Sequence, residues 1–135
     1  MLIKKIHNSY SFKYGQPNCI LKFGKFGIKV MSFNRISREQ LDSIQWALFK
    51  KLRSLSNTKK TFKFWNTIFL NSTITKLSLE SRMGKGKGAI YTQTLFLKPG
   101  TIIFEFDNIS HRQMSDTFQF IKKRLPFKVN LIKAL

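Results

Sequence analysis

The sequence predicts a single α+β domain, with two helices packed on a mainly antiparallel sheet. Three observations predict it. Two stretches carry apolar residues at steps of three and four behind a hydroxyl cap, which is the pattern of an amphipathic helix. Six or seven short runs alternate as strands do, and they do not interleave with helices in βα units. The chain has 135 residues, enough for one real core and too few for two independent ones.

Residues 1–18 read as a basic arm, and no acidic residue occurs before Glu39. The opening Met1–Ile6 is acid-poor and partly apolar, which raises a transit peptide, but it lacks the Arg and Ser richness of one. An uncleaved arm is the expectation. Phe23-Gly24-Lys25-Phe26-Gly27 then punctuates two extended runs, Ile20 to Phe23 and Ile28 to Phe33. In the second run Lys29 shares a face with Met31 and Phe33, as a rim residue or an RNA contact. Ser37 with Gln40 forms a capping box, and Leu41, Ile44, Leu48, Leu52 and Leu55 make the stripe of the first helix. Trp46 and Phe49 lie off that stripe. Residues 54–60 read as an exposed turn.

From Thr61 to Leu79 the pattern is β-like, with Asn71-Ser72 as the turn between two alternating runs. Residues 80–89 are a glycine- and lysine-rich excursion, and Ala89 to Leu97 is again a strand. Lys98-Pro99-Gly100 is a tight turn, because proline presets φ at one corner and glycine supplies φ > 0 at the next. Thr101 to Phe106 is expected to return as the hairpin partner. Ser110 with Gln113 caps the second helix, whose stripe is Met114, Phe118, Ile121 and Leu125. Pro126 stops it, and Phe127 to Ile132 reads as a last strand.

Charge narrows the function. There are 25 basic residues against 6 acidic ones, a net charge of +19, while 42% of residues are hydrophobic. The apolar fraction supports a packed core rather than a disordered tail. A compact domain so unbalanced repels itself, so its working environment supplies negative charge. Nucleic acid comes first, since phosphate contacts drive binding by counterion release. A membrane surface comes second, but no apolar run nears the ~18 residues that span one. Cys19 is the lone cysteine, so there is no disulfide framework and no zinc ribbon. With only Cys19, His7, His111 and six carboxylates available, and no recognisable spacing among them, neither a catalytic group nor a metal or other cofactor is expected.

The chemistry concentrates in Glu80-Ser81-Arg82-Met83-Gly84-Lys85-Gly86-Lys87-Gly88. Alternating glycines let the backbone take φ > 0 and approach a partner closely. Lys85 and Lys87 add two mobile point charges, and Arg82 adds a planar fork. The bland alternative is a flexible basic loop with no partner. Nucleotide-binding readings fare worse. A Walker loop needs Ser or Thr after its Gly-Lys, and a dinucleotide fingerprint needs glycine where Ala89 stands. The loop therefore suits a nucleic-acid backbone. Thirteen further basic residues are candidates for the same partner: Lys22, Lys25, Lys29, Arg35, Arg38, Lys50, Lys51, Arg53, Lys76, Lys98, Lys122, Lys123 and Lys128. Those at helix C-termini also serve the dipole or plain solvation.

From about Gly15 to Ile132 the chain resembles the large-subunit ribosomal protein sixteen family (bacterial L-sixteen, related to eukaryotic L-ten-e). Residues 80–88 resemble its Glu-Thr-Arg-Met-Gly-Lys-Gly-Lys-Gly signature, with Ser81 as a mild change. Four weaker matches follow in order. They are Phe23-Gly24-Lys25-Phe26-Gly27-Ile28, Ile36-Ser37-Arg38-Glu39-Gln40-Leu41, Lys98-Pro99-Gly100 with Phe104-Glu105, and Leu125-Pro126-Phe127-Lys128. The resemblance implies an α/β-hammerhead-type fold and a structural, non-enzymatic constituent of the large ribosomal subunit. It further implies binding to large-subunit rRNA and a part in organising the aminoacyl-tRNA site near the peptidyl transferase centre. The implied partners are that rRNA, tRNA in the A site, 5S rRNA where present and neighbouring large-subunit proteins, not a second copy of this chain. Residues Arg82, Met83, Gly84, Lys85, Gly86, Lys87 and Gly88 inherit the tRNA-facing role. A free RNA-binding factor and an enzyme acting on RNA are the competing readings.

One departure is informative. The family's bacterial members begin with a longer Arg- and Lys-rich arm, so contacts made by that arm are open here. Lysine outnumbers arginine 19 to 6, phenylalanine reaches 14 and alanine only 3, as AT-rich codons would give. That composition points to an organelle-encoded copy, mitochondrial first, with a plastid or an AT-rich bacterium as alternatives.

Overall fold

The computed structural model describes residues 4–7, 19–55 and 62–134. The expected arm over 1–18 therefore lies outside the described residues except for 4–7, and so does most of the expected turn over 54–60. The described chain runs β1 (Phe26–Val30), β2 (Asn34–Ser37), α1 (Arg38–Leu55), β3 (Lys63–Asn66) and β4 (Ser72–Lys76). It continues with β5 (Ala89–Leu97), β6 (Ile102–Asp107), α2 (His111–Lys122) and β7 (Val129–Lys133). The strands form two sheets, ordered β3-β6-β1-β7 and β2-β5-β4, and every pairing is antiparallel. This is the predicted α+β domain.

Both helices begin as their sequences dictate. The backbone N–H of Gln40 donates to Ser37 Oγ at 3.4 Å, and the Ser37 N–H donates to Gln40 Oε1 at 3.1 Å. Ser110 and Gln113 make the same reciprocal pair at α2. Each box satisfies two of the donors that a helix start leaves orphaned. The apolar stripe of α1, Leu41, Ile44, Leu48 and Leu52, is buried with Met114 and Ile121 of α2. Both stripes meet the inner face of the four-stranded sheet, where Phe26, Ile28 and Val30 lie beside Phe104 and Phe106. Phe64 of β3 joins them with ring centroids 5.3 Å from Phe104 and 5.4 Å from Phe106, and Phe49 of α1 reaches Phe64 at 5.0 Å. Burial of one such side chain contributes about 1.5–3 kcal/mol. Packing, more than helix propensity, holds α1 in place.

Several expectations need correction. Ile20 to Phe23 is not a strand. The backbone N–H groups of Lys22, Phe23 and Gly24 instead converge on the buried Glu105 carboxylate at 3.2, 2.7 and 2.9 Å. Phe26 and Gly27, read as punctuation, open β1, and Asn34–Ser37 is a strand the pattern missed because it is short and runs straight into the cap of α1. Asn71-Ser72 does not turn one hairpin back on itself, since β3 and β4 belong to different sheets. Nor are β5 and β6 hairpin partners. The Lys98–Thr101 turn forms as expected, with the Thr101 N–H donating to the Lys98 carbonyl at 3.2 Å and Gly100 at φ +92°. It carries the chain from one sheet to the other, where β6 lies between β1 and β3. Finally, Leu125 stays buried although α2 ends at Lys122.

Candidate nucleic-acid interface

Residues 77–88 join β4 to β5, which pair from Ser72 opposite Thr94 to Lys76 opposite Ala89. The loop leaves β4 through a turn in which the Ser81 N–H donates to the Ser78 carbonyl at 3.1 Å and the two serine hydroxyls bond to each other. Gly84 and Gly86 then sit at φ +99° and +84°, with open space around them. Their role is conformational, since L residues disfavour that region. Gly88 has a different role. A Cβ there would lie 2.5 Å from the Lys76 carbonyl oxygen, so only glycine lets the two strands close at the root of the loop. Between these points Arg82, Met83, Lys85 and Lys87 are exposed, Met83 at 95%.

The root of the loop is braced by residues 4–7. Thr73 Oγ1 donates to the Lys4 carbonyl at 2.8 Å, Lys5 Nζ donates to the Lys87 carbonyl at 3.3 Å, and Lys87 Nζ donates to the Ile6 carbonyl. Lys76 Nζ stands 5.1 Å from the Tyr91 ring centroid. Lys87 therefore ties the loop to the N-terminal segment 4–7, while Arg82 and Lys85 make no hydrogen bond or ion pair with the described residues. On β5, Gln93 accepts from Arg38 Nη1 at 3.2 Å, and Arg38 Nε also lies 3.8 Å from Asp42. That exposed pair holds Arg38 only weakly.

The other candidate cations do not gather on one surface. Lys22 and Lys25 ride on the segment that Glu105 holds, with Lys29 half-buried in β1 between Ile102 and Asn130. Arg35 lies across from Phe96 on β2, Lys98 sits in the β5–β6 connection, and Lys128 immediately precedes β7. Lys50, Lys51 and Arg53 end α1, whereas Lys122 and Lys123 end α2. The helices lie antiparallel: Gln113 Nε2 at the start of α2 donates to the Leu55 carbonyl at the end of α1, at 3.0 Å. Arg124, just past α2, instead lines a groove with Ser43, Trp46, Lys50, Lys51 and Phe120. Trp46, Phe120 and Arg124 were missed as site residues. The available signal was Trp46, a large aromatic off the buried stripe.

Among the described residues no group of three or more His, Cys, Asp or Glu is placed to hold a metal ion, and no helix is long and apolar enough to cross a membrane. The chemistry on offer is electrostatic, hydrogen-bonding and stacking.

Comparison with known proteins agrees with the signature. Residues 4–132 match the family described as Ribosomal protein L16p/L10e. A large ribosomal subunit protein uL16m of Chondrus crispus is 43% identical over 129 residues, covering 96% of this chain and 94% of that protein. Two proteins named large ribosomal subunit protein uL16 are also similar. That of Wigglesworthia glossinidia brevipalpis is 30% identical over 87% of this chain and 82% of its own length. That of Thermosipho africanus (strain TCF52B) is 27% identical over 96% and 87%.

Proposed function

The chain belongs to the ribosomal protein L16p/L10e family, whose members are structural constituents of the large ribosomal subunit and not enzymes, and on that premise we propose how this one works. It binds large-subunit rRNA and presents residues 80–89 toward the acceptor arm of tRNA in the A site. Its subunit is the mitochondrial one, a reading supported by the 43% identity to a uL16m protein and by the Lys- and Phe-rich composition. The bacterial relatives mark the alternative compartment.

The observation that carries this reading is the exposed pair Arg82 and Lys85. Lys85 stands between Gly84 and Gly86, both at positive φ with open space where a Cβ would lie, and Arg82 is two residues before Gly84. Ordering such a segment without a partner is entropically costly and buries almost no apolar surface. Against phosphate, the cations make charge-assisted bonds, and the glycine backbone brings N–H groups close as well. Phosphate contacts of this kind position a protein and leave sequence readout to others. Chemistry at the peptidyl transferase centre then belongs to RNA, with the protein in a positional role. Basic residues on the sheet edges extend the contact to rRNA, including 5S rRNA where present, and to neighbouring large-subunit proteins.

Fractionation of organelle lysate on sucrose gradients through a high-salt wash tests the reading. An integral subunit protein stays with the large subunit. A free RNA binder is stripped, since its affinity falls with salt at a log–log slope of about −0.7 to −0.9 per phosphate neutralised. Release to the top of the gradient defeats the proposal.

A further inference from the structure

The groove between α1 and α2 combines features that solvation of a helix end does not require. Its volume is about 490 Å³, within the roughly 300–1,000 Å³ of sites that seat a small organic group. Three cations line it, Lys50, Lys51 and Arg124, with no acidic residue among them. Two aromatic rings stand in the same walls. Trp46 is 72% exposed, although it is large and apolar and the buried stripe of its own helix runs beside it. The cations are already arranged over the rings: Lys50 Nζ lies 5.8 Å from the Trp46 centroid, Lys51 Nζ 5.9 Å from Phe120, and the Arg124 guanidinium carbon 4.3 Å from Phe120. Cation–π contacts of this length fix long side chains that would otherwise lose rotamer freedom on binding. Their charged heads stay available to an anion.

We infer that this groove seats an unpaired nucleotide of large-subunit rRNA, its base against the face of Trp46 and its flanking phosphates at Lys50, Lys51 and Arg124. The inference rests on the ribosomal reading above. An acidic peptide would use the three charges but not the open indole face. A nucleotide uses both, because a base offers a π-face whatever its identity and the adjoining phosphates supply the anions. The nucleotide is unpaired because a base inside a helix is already stacked on both sides, whereas loops and bulges can splay one out onto an aromatic side chain. Trp46 and Lys50 face the same way because they are one helical turn apart. Arg124 is brought across from the other helix by the antiparallel packing.

The test is ultraviolet cross-linking in purified large subunits containing the full chain, with mapping of what the Trp46 peptide carries. It is combined with the affinity of the full chain for isolated large-subunit rRNA. The inference expects an rRNA nucleotide on the Trp46 peptide and an affinity loss of roughly 5- to 150-fold for Trp46→Leu, the range spanned by removing one base–aromatic stack. Trp46→Phe, which keeps a stacking face, restores most of the loss. Circular dichroism unchanged in both variants separates this from unfolding. A cross-link to a neighbouring protein, or wild-type affinity in Trp46→Leu, overturns the groove assignment while leaving the loop and the subunit association standing. Failure of the chain to sediment with the large subunit overturns both readings together.

Discussion

Replacement of Glu105 by glutamine is the sharpest probe of how this fold holds its basic surface. Glu105 is fully buried on β6, on the face opposite Phe104 and Phe106, and pairs across the sheet with Gly27 and Trp65. Its Oε2 accepts from the N–H groups of Phe23 and Gly24 at 2.7 and 2.9 Å, and the Lys22 N–H is shared between both oxygens at 3.2 Å. Three backbone donors of a segment without strand partners thus depend on one carboxylate. A hydrogen bond to a charged group contributes about 1.5–3 kcal/mol against about 1 for a neutral one. Glutamine keeps one acceptor oxygen but turns an NH₂ toward the Lys22 N–H. Losing charge assistance on the two Oε2 bonds, and leaving the shared Lys22 bond one acceptor instead of two, gives a destabilisation of about 2–4 kcal/mol. That is a large fraction of the roughly 5–15 kcal/mol that holds a domain. Urea unfolding of the full chain measures it, and hydrogen exchange localises it: amides 22–24 lose protection first, ahead of the α1 core. A change below about 0.5 kcal/mol, with unaltered protection at those amides, would refute the argument that Glu105 anchors the segment carrying Lys22 and Lys25.

Two loop glycines separate conformation from packing. Gly88→Ala forces its Cβ against the Lys76 carbonyl and costs about 1–3 kcal/mol as overpacking, visible as a lowered thermal midpoint. Gly86→Val meets no neighbour; it costs about 1–2 kcal/mol of local backbone strain, leaves the core intact and impairs loop docking, read as weaker aminoacyl-tRNA binding by ribosomes that carry it. Normal binding would show that docking does not need that glycine. Ser110→Ala removes the cap of α2 and lowers unfolding free energy by about 0.5–2 kcal/mol, with Ser110→Gly recovering most of it.

Local chemistry was legible and long-range pairing was not. The helices could be read because a capping box and an apolar stripe lie within a few residues of each other, and Ser37–Gln40 and Ser110–Gln113 both form as written. The Lys98-Pro99-Gly100 turn was also local and also forms. Its chemistry dictates that the chain turns, not which strand comes next, so the change of sheet between β5 and β6 was invisible. Ile20 to Phe23 has the apolar alternation of a strand. What decides its conformation is an acid some eighty residues away. The same holds for the interface. Arg82 and Lys85 could be picked out because glycine pattern and charge coincide within nine residues. The groove at Trp46 could not, since its cations and rings come from two helices whose antiparallel contact no short pattern encodes. Lys87 differs from Arg82 and Lys85 in that its ammonium also donates to the Ile6 carbonyl, which leaves two further N–H donors for a phosphate.

Ribosomes carrying Arg82→Ala with Lys85→Ala provide the most direct test, through the affinity of aminoacyl-tRNA for the A site alongside that of tRNA for the P site. Both side chains are exposed, so the double variant folds and assembles. The account predicts A-site affinity lower by roughly tenfold or more, the scale of losing one or two charge-assisted contacts, with P-site affinity unchanged. Equal A-site affinity in subunits that demonstrably contain the variant chain would contradict it, and residues 80–89 would then have to be an rRNA anchor with no part in holding tRNA.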